Sequence, residues 1–140
     1  RQAMIEGIRD GLIDVITSAH CPEPAENKRR PFAEAEPGAV GLETLLAAAI
    51  TNLHHENGID LIDVLRPLTH NPATLLALES GVIAKGAPAD LILFDAGAPI
   101  VVDAAKLKSK SKNSPFDGRR LQGKVLLTLV DGRIVHDQRV

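Results

Sequence analysis

The sequence predicts an α/β fold with a β-rich C-terminal third, and three stretches of it carry that reading. Residues 13–17 (IDVIT) are a short apolar, β-branched run of the kind that forms a strand buried on both faces of a parallel sheet. Residues 41–55 (GLETLLAAAITNLHH) repeat apolar side chains every three and four positions, as a helix with one buried face does. Beyond Gly81 the text changes to strand-like runs that close on Asp131-Gly132, a two-residue hairpin signal. At 140 residues and 44% hydrophobic, the chain suffices for one domain or for two packed pieces of a larger one, and disorder is excluded.

The elements follow in order. The chain opens on Arg1, already inside a helical pattern in which Met4, Ile5, Ile8 and Leu12 share a face before Gly11 stops it. Such a start reads as cut, with further structure expected upstream. The 13–17 strand comes next, and then regularity stops. Pro22, Pro24, Pro31 and Pro37, with the basic run Lys28-Arg29-Arg30, allow no lasting element over residues 18–40. A connection of roughly 20 such residues after a strand is more often functional or mobile than idle. Leu42, Leu45, Leu46, Ala49, Ile50 and Leu53 then mark the buried face of the main helix. A second helix spans about residues 60–68, carrying Leu61, Ile62, Leu65 and Leu68. Asn71-Pro72 announces a third, with Asn71 as its cap, proline at its first turn and Gly81 as its end. A strand over residues 91–94 and a hairpin around Asp131-Gly132 complete the chain. The four lysines between positions 106 and 112 read as a solvated loop.

Composition narrows the function. A formal charge of -2, three Phe and neither Tyr nor Trp leave no basic field for phosphates and no platform for stacked bases, so nucleic acid is a poor partner. No apolar stretch approaches the roughly 18 residues of a spanning helix, and no membrane partner is expected. The single Cys21 forms no internal disulfide, which fits a reducing, cytoplasmic setting. Because an apolar strand needs parallel neighbours, an isolated monomer is not expected, and a homo-oligomer is one source of those neighbours.

Four segments together resemble a family. IDVITSAHCPEPAENKRRPFAEAEPGAVGLET, the NPA at residues 71–73, GAPADLILFD and the closing SKNSPFDGRRLQGKVLLTLVDGRIV are similar to the C-terminal part of a dihydroorotase, in the amidohydrolase superfamily. GAPADLILFD is shared by many cyclic amidohydrolases, allantoinases and dihydropyrimidinases included. The pairing of residues 37–44 with KNSPFDG (112–118) is more specific to dihydroorotases. The resemblance implies that residues 1–82 are the last strand and helices of a TIM-like barrel, and that residues 83–140 are strands of a small β-sandwich. A whole TIM barrel takes about 250 residues, so most of it would lie elsewhere.

The resemblance also implies a chemistry. Dihydroorotases interconvert dihydroorotate and carbamoyl-aspartate with one or two zinc ions, held by a His-x-His pair, later His residues, a carboxylated Lys and an Asp at the end of the last strand. Zinc brings the pKa of a bound water near 7, and that Asp carries its proton to the leaving nitrogen. Here the family's Thr-Asp-His-x-Pro-His reads Ser18-Ala19-His20-Cys21-Pro22-Glu23. Ala19 occupies the Asp position, and its methyl neither ligates zinc nor moves a proton. Glu23 stands where a His would hold the substrate carboxylate, and an ionised carboxylate repels that anion. No His-x-His occurs in the chain. No catalytic residue and no metal ligand are therefore assigned, zinc is expected for the full-length family but not for this stretch alone, and His20, Glu23 and Gly38 are the candidate substrate-binding residues.

Each candidate has a plainer reading beside it. His20 either faces the cleft or holds the loop by hydrogen bonds, and Gly38 with Gly41 either meets a ligand or only permits a turn. Ser18, Cys21 and Glu23 are alternative proton carriers. Cys21 as a nucleophile lacks an identifiable orienting group. His54 and His55, about 100 degrees apart on a helix, read as surface residues near its end. His70 and His136 read as structural. Two functions remain open: a dihydroorotase-type enzyme acting on a small cyclic amide, and a non-catalytic dihydroorotase-like subunit packed against aspartate transcarbamoylase.

Overall fold

Helix α1 (Gln2–Arg9) presents Ile5 to an apolar cluster in the computed structural model, which describes residues 1–139. Ala49, Leu53, Ile59 and Val64 complete the cluster, with Ile8, Ile16 and Leu68 packed on its edge. Met4 and Leu12, expected on the same face, are instead 60% and 78% exposed. Helical spacing names a stripe, but an eight-residue helix meets its neighbour over little more than one turn of it.

Residues 13–17 join no sheet among the described residues, so the expected strand is without its parallel neighbours here. A strand is made by its neighbour's hydrogen bonds, and none of the described segments lies alongside this one. Its contacts are instead single tethers: Ile13 N–H donates to the Gly7 carbonyl at 3.1 Å and Ile16 N–H to the Pro67 carbonyl at 2.9 Å. The proline-rich stretch holds one short helix, α2 (Ala25–Lys28), entered from Pro24.

The main predicted helix forms in three consecutive pieces. A 3₁₀ turn (Leu42–Thr44) leads into α3 (Leu45–Ala49), and a wider π turn (Ile50–His55) follows. Ala49, Ile50 and Leu53 are buried as expected, Ala47 is buried as well, and Leu42 is exposed. The widened turn carries Thr51, whose hydroxyl accepts from Gln122 N–H at 2.7 Å and donates to Gln122 O at 3.3 Å. Helix α4 (Leu61–Leu65) continues as a 3₁₀ turn over Arg66–Leu68, and α5 (His70–Leu75) starts after Thr69.

Two expectations for the third helix are corrected. Asn71 lies inside α5 and is not its cap; its amide donates to the Asp14 carbonyl at 3.0 Å and so ties the helix to the 13–17 segment. The helix also ends at Leu75, well before Gly81, because Ala77 turns to a φ of 52°. Gly81 serves packing: a Cβ there would lie 2.7 Å from that of Ala73.

The last third is a three-stranded antiparallel sheet ordered β1 (Leu91–Val101), β2 (Arg120–Val130), β3 (Arg133–Asp137). β1 outruns the expected strand because it re-registers after Leu93 and again between Asp95 and Pro99 instead of ending. Asp131 and Gly132, at φ 49° and 73°, make the two-residue turn that Asp-Gly announces. A second cluster, Ala47, Val102 and Leu121 with Ala48, Ile100 and Phe116, seats the sheet on α3. Gly123 lies at that contact with a φ of 112°, which strains any residue with a side chain, and a Cβ there would stand 3.0 Å from Ile50 Cδ1.

Candidate functional site

The chain leaves residues 13–17 through a tight turn. Thr17 Oγ1 accepts from Ala19 N–H at 3.0 Å, and Ser18 Oγ accepts from His20 N–H at 3.3 Å. Ala19 is held at φ 44°, a left-handed conformation that Asp and Asn tolerate better than a methyl-bearing alanine. The outgoing arm then meets the returning one: His20 pairs with Ala39 in a parallel bridge, and Cys21 N–H donates to the Ala39 carbonyl at 2.9 Å. Two glycines make that approach. A Cβ on Gly38, whose φ is 119°, would lie 2.7 Å from Cys21 O, and one on Gly41 would lie 2.7 Å from Ser18 O.

His20 is half-buried between the arms. Its Nδ1 accepts from Gly41 N–H at 3.1 Å and faces Leu42 N–H at 3.5 Å, which caps the 3₁₀ turn and leaves the ring proton on Nε2. The Nδ1 bonds hold the loop and leave Nε2 without a partner among the described residues. Glu23 points back into its own arm: Asn27 Nδ2 donates to Oε2 at 3.2 Å, and Cys21 Sγ lies 3.8 Å from Oε1. The Gly38 carbonyl accepts from Lys28 Nζ at 3.0 Å and from Asn113 Nδ2 at 3.1 Å, so both its lone pairs are engaged and only its N–H is left for a ligand.

Asn113, Lys28 and Glu43 carry much of this arrangement and were not singled out from the sequence. Asn113 also accepts from Glu23 N–H through Oδ1 and from Val40 N–H through its own carbonyl. Glu43 Oε1 accepts from Lys108 N–H at 2.6 Å. Glu43 and Asn113 fall within the two segments, 37–44 and 112–118, that carry the dihydroorotase likeness, whereas Lys28 lies outside them in the basic run. The remaining histidines stand apart from the arms. His54 Nδ1 pairs with Ile59 O and His55 Nε2 with Ala96 O, each at 2.8 Å, so both rings act as struts, and His54 is half-buried instead of exposed. His70 and His136 are exposed.

Set against known proteins, the chain matches the amidohydrolase family over residues 1–135. The chain belongs to the amidohydrolase family. Its similar relatives include the dihydroorotase of Anaplasma phagocytophilum (strain HZ), 48% identical over 97% of this chain and 30% of that protein. The dihydroorotase of Clostridioides difficile (strain 630) is 41% identical over 98% of this chain and 32% of that one. This member of the family therefore spans about a third of the length of those relatives. Among solved structures, the L-hydantoinase (dihydropyrimidinase) of Arthrobacter aurescens superposes at a TM-score of 0.91 with 32% identity, covering 98% of this chain and 32% of that one. A D-hydantoinase (dihydropyrimidinase) from Thermus sp. superposes at 0.89 with 20% identity over 98% of this chain and 31% of its own, a likeness of fold. These neighbours place the chain in the barrel architecture expected of it.

Amidohydrolases are generally metal-dependent, and the donors present do not fit a metal. Among the described residues no three His, Cys, Asp or Glu side chains come together as a ligand set. Ala19 offers only a methyl after residues 13–17, His20 Nδ1 is already an acceptor for backbone amides, and Glu23 is held by Asn27.

Proposed function

We propose that this chain is the C-terminal portion of a dihydroorotase-type hydrolase of pyrimidine biosynthesis, which interconverts dihydroorotate and carbamoyl-aspartate in the cytoplasm. One observation carries the reading: identity to dihydroorotases reaches 48%, whereas a hydantoinase that superposes at 0.91 shares only 32%. Backbone likeness does not separate cyclic amides, but side-chain identity over nearly the whole chain bears on the substrate. In this reading residues 1–82 complete a barrel and residues 83–140 a small sandwich. The arms around His20 and Gly38 then lie at the carboxyl end of the last barrel strand, the end where TIM-barrel sites are built. Of the three candidates, the Gly38 N–H and the His20 Nε2–H are both unpaired among the described residues and suited to an anionic substrate. Glu23 acts on the loop through Asn27, and a homo-oligomer supplies further packing.

Ala19 favours a second reading, a non-catalytic dihydroorotase-like subunit that packs against aspartate transcarbamoylase. The experiment that separates the two is kcat/KM for dihydroorotate in the full-length protein, with Ala19→Asp, Glu23→His and both together. The unmodified protein is expected to fall about 10²–10⁴-fold below the double variant, the usual effect of one proton carrier. Both side chains act on one bound substrate, so the double change should recover more than the two single changes combined. Unmodified protein as fast as the double variant would remove Ala19 from the family's Asp position. No turnover by any of the four would favour the subunit.

A further inference from the structure

We propose that Asn113 and Glu43 are positioning residues: through them the segment leading into β2 sets the spacing of the two loop arms, and with it the affinity for substrate. The proposal rests on the dihydroorotase-type reading of those arms.

Asn113 uses three polar atoms on three different loop residues. Its Oδ1 accepts from Glu23 N–H at 3.4 Å on the outgoing arm, its Nδ2 donates to the Gly38 carbonyl at 3.1 Å on the returning arm, and its main-chain carbonyl accepts from Val40 N–H at 3.2 Å. A carboxamide is planar and presents its donor and acceptor at a fixed separation. It satisfies both arms only when they stand one distance apart. Glu43 makes the reciprocal link, since its Oε1 accepts from Lys108 N–H at 2.6 Å and from Ser109 N–H at 3.4 Å. Each segment therefore holds the other's backbone. Lys28 braces the same point from within the loop, donating to the Glu36 carbonyl at 2.7 Å and to the Gly38 carbonyl at 3.0 Å.

The links reach 75 and 90 residues along the chain, so nothing local to the proline-rich stretch reproduces them. Without the Asn113 carboxamide the arms keep the Cys21–Ala39 and His20–Gly41 bonds and the Lys28 brace, but no side-chain bond then ties Glu23 N–H or the Gly38 carbonyl to the segment leading into β2. Gly38 N–H, a group available to an anion, belongs to the residue whose carbonyl Asn113 holds. Its placement is the quantity Asn113 fixes, so loss should appear in substrate affinity before it appears in the rate of the bound complex.

The test is made in the full-length protein. Asn113→Ala removes both side-chain bonds, and Asn113→Asp keeps the acceptor but turns an oxygen toward the Gly38 carbonyl. Glu43→Ala removes the reciprocal link, which Glu43→Gln retains. Amide exchange over residues 18–44 should quicken by about tenfold in Asn113→Ala and Asn113→Asp, the worth of a hydrogen bond or two. KM for dihydroorotate should rise about fivefold or more with kcat changed much less, and Glu43→Gln should restore what Glu43→Ala loses. Unchanged exchange over 18–44 in a folded Asn113→Ala protein overturns the proposal, as does faster exchange with an unaltered KM. If the unmodified protein turns over no dihydroorotate, the dihydroorotase-type reading fails by itself, and the exchange comparison alone decides whether Asn113 sets the arms.

Discussion

Ala19 shows how much one side chain decides where the chain leaves residues 13–17. Its φ of 44° costs an L-residue with a Cβ roughly 1–2 kcal/mol, a cost glycine avoids and Asp or Asn reduces. Ala19→Gly in the full-length protein should therefore gain about 0.5–1 kcal/mol in denaturant unfolding, after the greater freedom of unfolded glycine is subtracted. A loss of stability would mean that the turn is not held left-handed. The same φ makes Ala19→Asp compatible with the backbone as it stands. At the other end of the chain, Asp137 is held at about 2 by the Arg139 guanidinium that hydrogen-bonds it at 2.6 Å, with the Arg139 backbone N–H adding to the effect. Arg139 is correspondingly raised by the same carboxylate. A depressed carboxylate supports the fold above its unfolded value near 4 and loses that support as pH falls through about 2. Both groups are fully exposed and two residues apart, so the pair orders the tail rather than the fold. Arg139→Gln should raise the Asp137 carboxyl, followed by NMR titration, toward the ordinary carboxylate range, with the retained backbone N–H keeping it somewhat below, and leave the melting temperature unchanged.

At the scale of elements, the join between the helical part and the sheet depends on Thr51. Between Asp95 and Pro99 the β1–β2 register slips, and beside it the Thr51 hydroxyl takes both the N–H and the carbonyl of Gln122. Thr51→Val keeps the shape and deletes both bonds, so unfolding should cost less by about 1–3 kcal/mol, the penalty for backbone groups left unpaired. An unchanged denaturation midpoint would show that water replaces the hydroxyl there. Periodicity foretold the helix around Thr51 and its buried Ala49, Ile50 and Leu53, but not its widening into a π turn, which answers a strand about 70 residues away. Asn71 is the same lesson in reverse. Its Asn-Pro text reads as a cap, yet the side chain goes to Asp14, because tertiary proximity offered a carbonyl where local chemistry offered an amide.

The whole molecule leaves apolar surface uncovered. Residues 13–17 have no ladder among the described residues, Leu12 is 78% exposed, Phe32 100% and Ile83 91%. Val82, Ile83, Leu91, Ile92 and Phe94 also line a groove with Leu65 of α4 and the start of α5. The 140-residue chain alone should not behave as a folded 14.9 kDa monomer: light scattering should report association, and thermal unfolding should be broad. A sharp, concentration-independent melt at monomer mass would contradict this.

What the sequence determined by itself was local or carried by contiguous text: the apolar face of the main helix, the Asp131-Gly132 turn, the glycines that let the two arms close, and the family signature split between residues 37–44 and 112–118. Period, turn chemistry and short motifs are written along the chain, so they can be read along it. The tertiary structure alone decided that His20 gives its Nδ1 to Gly41, that Glu23 turns to Asn27, and that Asn113 joins both arms. Those facts depend on which carbonyl or amide a folded neighbour brings within 3.5 Å, and a polar side chain with several unsatisfied partners in reach takes the one that packing presents.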